Sequence, residues 1–229
     1  MQRVVCPDTE LRRISDNGQE ERQNFAERGG SMRIYDISQE VFGCEVFPGD
    51  PAPEMEAVMR ISEGGQCNLS MFGMCAHNGT HVDAPFHFYE NGKTIDETDL
   101  ERYIGYAYVT EHEGVVTADD AVNILEKARE TDRRGRKRIL IKGKAVVSIE
   151  AAGVFAEAGI WLLGNESQTV GPEDAPMEVH LKLLEAEVVL LEGIRLEEVE
   201  EGVYFLNAAP INLGGADGAP CRAVLIDMG

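Results

Sequence analysis

Cys75-Ala76-His77-Asn78-Gly79-Thr80-His81-Val82-Asp83-Ala84-Pro85-Phe86-His87 is the stretch from which the rest of the chain is best read. It places three of the chain's five histidines and an aspartate within eleven positions. On a helix, His77 and His81 would share a face while Asp83 rotated away, and Gly79 and Pro85 both disfavour helix. In an extended chain, residues of one parity share a side, so His77, His81, Asp83 and His87 can converge. A straight strand would hold the α-carbons of His77 and His81 roughly 13 Å apart, near the limit for two imidazoles to meet at one ion. Gly79 can supply the bend that shortens this distance. Imidazole and carboxylate are donors suited to zinc or manganese. The plainer alternative is a polar loop in which these groups hydrogen-bond one another.

Around this stretch, short apolar runs alternate with helical patterns. Strands are expected at Arg33–Ser38, Ala107–Thr110, Arg138–Ile141, Ile160–Leu163, Val188–Leu191, Tyr204–Asn207 and Arg222–Ile226. Helices are expected at Ala118–Glu130, Ile149–Glu157 and Met177–Glu185, with Ser148 capping the second and Gly159 stopping it. The pattern predicts one mixed α/β domain over residues 32–229, without internal repeat or linker. Residues 1–31 are rich in Arg, Glu, Gln and Asn, lack a period, and end in Gly29-Gly30-Ser31; they read as a flexible N-terminal extension.

Twenty-one basic against 41 acidic side chains give a formal charge of −20, which repels phosphate backbones and argues against nucleic acid as a partner. The basic run Arg133, Arg134, Arg136, Lys137, Arg138 has no interleaved aromatics and reads as a solvated loop between helix and strand. No apolar run approaches the roughly 20 residues of a membrane helix. An odd cysteine count (Cys6, Cys44, Cys67, Cys75, Cys221) without C-x-x-C spacing fits free thiols in a reducing cytoplasm. Cys75, two residues before His77, reads as packing rather than ligand.

The pattern His77-x-Gly79-Thr80-His81-x-Asp83-Ala84-Pro85-x-His87 resembles the motif of the cyclase family, which includes bacterial kynurenine formamidases and isatin hydrolases. The resemblance extends through Asp36-Ile37-Ser38, Phe47-Pro48-Gly49-Asp50, Asn91-Gly92-Lys93-Thr94-Ile95-Asp96 and Tyr103-Ile104-Gly105. It continues at His180, Leu191-Glu192-Gly193 and Asp217-Gly218-Ala219-Pro220-Cys221-Arg222-Ala223, so it spans about residues 32–229. It implies a compact, partly barrel-like mixed sheet flanked by helices, of the swivelling β/β/α type. It also implies metal ligation by His77, His81, Asp83, His180 and Glu192, with one or two ions and Asp83 as a possible bridge. His87 would be the general acid/base, and Phe47 would line the substrate pocket. Zinc fits this donor mixture first and manganese second. Read alone, His180 is a lone histidine in an amphipathic helix and Glu192 merely ends an apolar run, so both roles come from the resemblance. His112, among acidic residues after a strand, reads as a surface residue.

The expected reaction is hydrolysis of a C–N bond in a small amide or formamide, with N-formylkynurenine in tryptophan catabolism the leading substrate. An isatin-type lactam or lactone hydrolase is the alternative within that class. A metal-dependent cyclase or dehydratase and a non-catalytic small-molecule binder are alternatives of other classes. The resemblance also implies a homodimer or higher homo-oligomer. Two departures bear on the pocket: Phe47 stands where Trp is usual, and Glu166 and Gly171 replace aspartates in Gly164–Pro172.

Overall fold

A computed structural model describes residues 32–228, so the extension expected over 1–31 lies outside the described residues. In chain order the strands begin with β1 (Arg33–Asp36), β2 (Glu54–Met59), β3 (Leu69–Gly73), β4 (His81–Asp83), β5 (Ile104–Glu111) and β6 (Gly114–Val116). They continue with β7 (Arg138–Lys142), β8 (Ala145–Val147), β9 (Leu162–Asn165), β10 (Val189–Glu192), β11 (Gly202–Asn207), β12 (Gly218–Pro220) and β13 (Val224–Asp227). Three α-helices interrupt them among the described residues: α1 (Ala118–Thr131), α2 (Ile149–Glu157) and α3 (Met177–Glu185).

Ile139, Leu140 and Ile141 are all fully buried. A strand with no polar side needs cover on both faces, which is the situation of central parallel strands. Accordingly β5, β7, β9 and β10 run parallel, and helices lie in the crossovers between them. Antiparallel strands complete a nine-stranded sheet in the order β1-β13-β11-β5-β7-β9-β10-β4-β12. Strand alternation sorts the core into two layers. Tyr108, Ile139, Ile141, Leu163 and Leu190 face the helices with Leu125, Phe155 and Leu183. Val109, Leu140, Leu162 and Leu191 point the other way and meet Val82, Leu206, Ala219 and Leu225 inside the curl of the half-barrel.

The helices lie where their periodicity puts them. Thr117 and Asp120 form a reciprocal cap at the start of α1. Ser148 accepts from the Ala151 amide, and Gly159 follows the last turn of α2 with φ +61°. The expected strands recur with ends shifted by one to three residues, as at β5, β9 and β13. The extended reading of 77–87 is corrected: only His81–Asp83 is strand. Pro85 opens a 3-10 turn over Pro85–His87, because its ring fixes φ and it has no N–H to continue a ladder. The basic run is corrected in part. Arg138 is buried and donates to the carbonyls of Glu101, Arg102, Ile104 and Tyr106, tying β5 to its neighbour. No helix among the described residues is long and apolar enough to cross a membrane.

Candidate metal centre

β4 is three residues long and lies between β10 and β12, antiparallel to both. Its alternation sends Val82 into the half-barrel core and His81 and Asp83 to the opposite face. Side chains directly opposite in an antiparallel pair share a face. The register sets Glu192 of β10 across from His81, so sheet pairing alone delivers this carboxylate to the histidine. α3 brings His180 to the same side, its Nε2 3.3 Å from Glu192 Oε1 and 3.7 Å from Asp83 Oδ2. His77 enters from the turn before β4, where Gly79 adopts φ +64° and passes close to Cys44. Thr80 pins this turn: its hydroxyl donates to the Gly193 carbonyl (2.7 Å) and accepts from the Gln39 amide (2.9 Å).

The six histidine, aspartate and glutamate side chains singled out in the sequence therefore meet. His77, His81, His87, His180 and Glu192 line a cavity of about 260 Å³ with Phe47, Asp50, Cys75, Phe88, Gln168, Thr169 and Pro176. Asp83 lies behind them, 1% exposed, within reach of three of the imidazoles. Phe47 is thus at the pocket wall, and Cys75 joins it with Sγ 3.8 Å from Asp50 Oδ2. His112 is elsewhere, its Nε2 3.1 Å from the Val115 carbonyl. Glu166 accepts from the amides of Gly143 and Leu196, serving as a buttress for two loops.

One carboxylate was not foreseen as part of the site. Asp217 Oδ2 lies 2.9 Å from His77 Nε2 and 3.2 Å from His87 Nδ1. Its only signal in the sequence is its place in the Asp217–Ala223 segment of the family resemblance.

Hydrogen-bond chemistry decides whether this cluster fits a cation. His81 Nδ1 is 3.0 Å from the Gly79 carbonyl and His180 Nδ1 is 2.9 Å from the Pro176 carbonyl. Carbonyls only accept, so each Nδ1 carries the proton and each Nε2 turns toward carboxylate oxygens. The separations there, 3.3 to 3.7 Å, exceed a normal hydrogen bond. Atoms about 2.0–2.1 Å from a tetrahedral zinc stand roughly 3.3–3.4 Å apart, which matches this spacing. Asp83 Oδ2 is buried without a hydrogen-bond partner, as expected of an oxygen reserved for a cation. Two three-residue sets share Asp83: His81, Asp83 and Glu192, and His77, Asp83 and His87. The donors fit a divalent ion.

Protons balance the buried negative charge in the metal-free chain. Burial disfavours the charged form of His77, but hydrogen bonds to Asp217 and Asp83 outweigh it and push the imidazole up to about 11. Burial likewise opposes charge on His180, yet Glu192 carries it up to about 9. His81 is raised against its own burial, chiefly by Glu192. His87 differs: burial dominates and holds it below the ordinary imidazole value despite Asp83 and Asp217. Asp83 and Asp217 both fall well below the usual carboxylate range, Asp83 against its burial and Asp217 chiefly through its hydrogen bond with His77.

Comparison with known proteins bears on the family and the fold. The family described as "Putative cyclase" matches residues 35–173. A kynurenine formamidase of Erythrobacter litoralis is 31% identical over 212 residues, 86% of this chain and 94% of its own length. One from Salinibacter ruber is 33% identical over 212 residues, 86% of this chain and 98% of its own. A solved structure described as a potential metal-dependent hydrolase with cyclase activity superposes with a TM-score of 0.73 at 28% identity, covering 87% of this chain and all of that one. Isatin hydrolase A of Labrenzia aggregata shares the fold, with a TM-score of 0.74 at 19% identity over 93% of this chain and 100% of its own.

Proposed function

The chain belongs to the cyclase family, and on that premise we propose that it is a metal-dependent hydrolase of a small formamide or amide, N-formylkynurenine being the leading substrate. One observation supports this above the others. Two imidazoles with main-chain-anchored Nδ1 atoms face buried carboxylates at ligand spacing, while a third, His87, keeps Nε2 free of any hydrogen-bond partner among the described residues. A binder has no use for the spare imidazole.

His77, His81, Asp83, His180 and Glu192 would hold the metal, zinc ahead of manganese on donor type, as one ion or two sharing Asp83. When bound, a divalent ion acidifies water toward neutral pH and draws charge from a carbonyl oxygen. His87 supplies the rest. Its Nε2 accepts a proton from the attacking water as the new C–O bond forms, and returns it to the leaving nitrogen as the C–N bond breaks. A formamide then yields formate and an amine. Phe47 and Phe88 give the cavity apolar walls suited to an aryl group.

A homodimer in the reducing cytoplasm completes the reading. The β2–β3 hairpin leaves Met55, Val58, Leu69, Met71 and Phe72 between 48% and 62% exposed. A two-stranded ribbon with that much bare apolar surface is marginal alone, and a second copy would cover it. Sedimentation of the purified protein should give twice the chain mass; a monomer at all concentrations rejects that element.

The decisive assay is metal content of protein purified without chelator, coupled to N-formylkynurenine hydrolysis before and after chelation. Stoichiometric metal with chelator-sensitive turnover is expected. Metal with turnover of isatin-type lactams or lactones alone would shift the substrate class to the alternative. A protein that neither holds metal nor gains activity on adding it ends the hydrolase reading.

A further inference from the structure

We infer that Asp217 is a positioning residue whose single oxygen Oδ2 holds the His77 ring by its Nε2–H and fixes the tautomer of His87, presenting His87 Nε2 to the substrate. The inference rests on the hydrolase reading for its kinetic part only. A carboxylate oxygen accepts and does not donate, so the 2.9 Å contact requires a proton on His77 Nε2 and the 3.2 Å contact one on His87 Nδ1. By the same rule His77 Nδ1 also donates, to Asp83 Oδ1 at 2.9 Å, so that ring carries two protons until an ion replaces one. On His87 the nitrogen left over is the useful one. His87 Nε2 has no hydrogen-bond partner among the described residues, and its ring lines the cavity.

For His87 no other described group could do this. His81 and His180 have their tautomers set by main-chain carbonyls, whereas among the described residues no carbonyl reaches His77 or His87. Their rings lie against each other with centroids 4.0 Å apart and planes tilted by 31°, so one oxygen can serve both. Asp217 is itself held: its carbonyl accepts from the Ala84 amide at 2.9 Å, and the next residue, Gly218, pairs with Asp83 in the ladder. The carboxylate is thus fastened to the strand that carries the metal donors.

Asp217→Ala tests this, because it removes the acceptor oxygen altogether, whereas an asparagine could turn its amide and keep an oxygen in the same place. Imidazole ¹⁵N spectra of the metal-free protein should show His87 protonated at Nδ1 in the parent and not in the variant. Zinc affinity should fall by about 10–100-fold, the usual effect of removing a ligand's orienting carboxylate. With zinc saturating, kcat should fall by about 10²-fold or more with KM nearly unchanged. In a His87→Ala background the same substitution should still weaken zinc but cost no further kcat, which a merely structural loss would not reproduce. The inference is overturned if the Nδ1–H form of His87 persists in Asp217→Ala, or if the kcat losses of the two substitutions simply multiply. The spectra and zinc titrations need no substrate. Inactivity of the parent toward formamides would therefore sink the hydrolase reading without touching them.

Discussion

On one side of Asp83, His81 and His180 have Nδ1 tied to main-chain carbonyls, and with Glu192 they are at most 4% exposed. On the other side, His77 and His87 lean on the side chain of Asp217, which is 42% exposed. The first arrangement cannot relax without moving backbone. The second can relax by a side-chain rotation. A seat for a cation benefits from the first kind of support, and a group that must accept and release a proton benefits from the second. On the proposed reading the first side would only hold the ion, while the second would hold it through His77 and move protons through His87, with Asp83 as the shared wall.

Removing that wall should have the largest effect. Asp83→Ala is expected to lose bound metal and about 10³-fold or more in turnover, since it belongs to both donor sets. Metal analysis and kcat/KM measure this together, and retention of full metal would break the comparison. His87→Ala should lower kcat by about 10²–10⁴-fold while leaving metal stoichiometry unchanged. If it strips the metal instead, His87 is a ligand as well.

Proton counting sharpens the contrast. In the metal-free chain His77 is pushed up to about 11 and His180 to about 9, so both are protonated at neutral pH and must shed protons to become ligands. Zinc binding at pH 7 should release roughly one to three protons, and its affinity should rise with pH. Calorimetry in buffers of different ionisation heat reads the number; a heat independent of buffer contradicts it.

The smallest effects concern the backbone of the closed side. Gly193, just after Glu192, has φ +67°, and an added Cβ would run into the Gly79 carbonyl oxygen. Gly193→Ala should destabilise the metal-free protein by about 1–3 kcal/mol, seen as a lower denaturant midpoint at unchanged slope. Thr80→Val removes the hydroxyl that joins Gly193 to Gln39 and should cost about 1–3 kcal/mol, at the lower end of that range if water enters.

Periodicity carried most of the fold. The helices α1, α2 and α3 and the central strands bury one face or both, and burial writes a repeat into the sequence. The short β4 could not be bounded this way, because three residues hold too little repeat. The β2–β3 hairpin was missed for the opposite reason: its apolar residues are exposed on both parities, so no inside-outside alternation marks it. In the site, the 77–87 cluster was legible because its members are neighbours in sequence. His180 and Glu192 were legible only through family resemblance, since a register across β10 and β4 brings them in. Asp217 lies inside the resembling segment, yet nothing in the sequence marks its role, because its partners stand 130 and 140 residues away.

The position of β4 also sets an order of events during synthesis. This strand emerges early, yet both its sheet neighbours come from the last third of the chain: β10 ends at Glu192 and β12 begins at Gly218. Until those segments leave the ribosome, His81 and Asp83 have no ladder to hold them and lack Glu192 as a companion. On the proposed reading, the nascent chain would display its candidate ligands His77, His81 and Asp83 long before it could close a pocket around an ion. The choice of ion would then fall to the finished fold, where coordination geometry rather than first encounter decides what is kept.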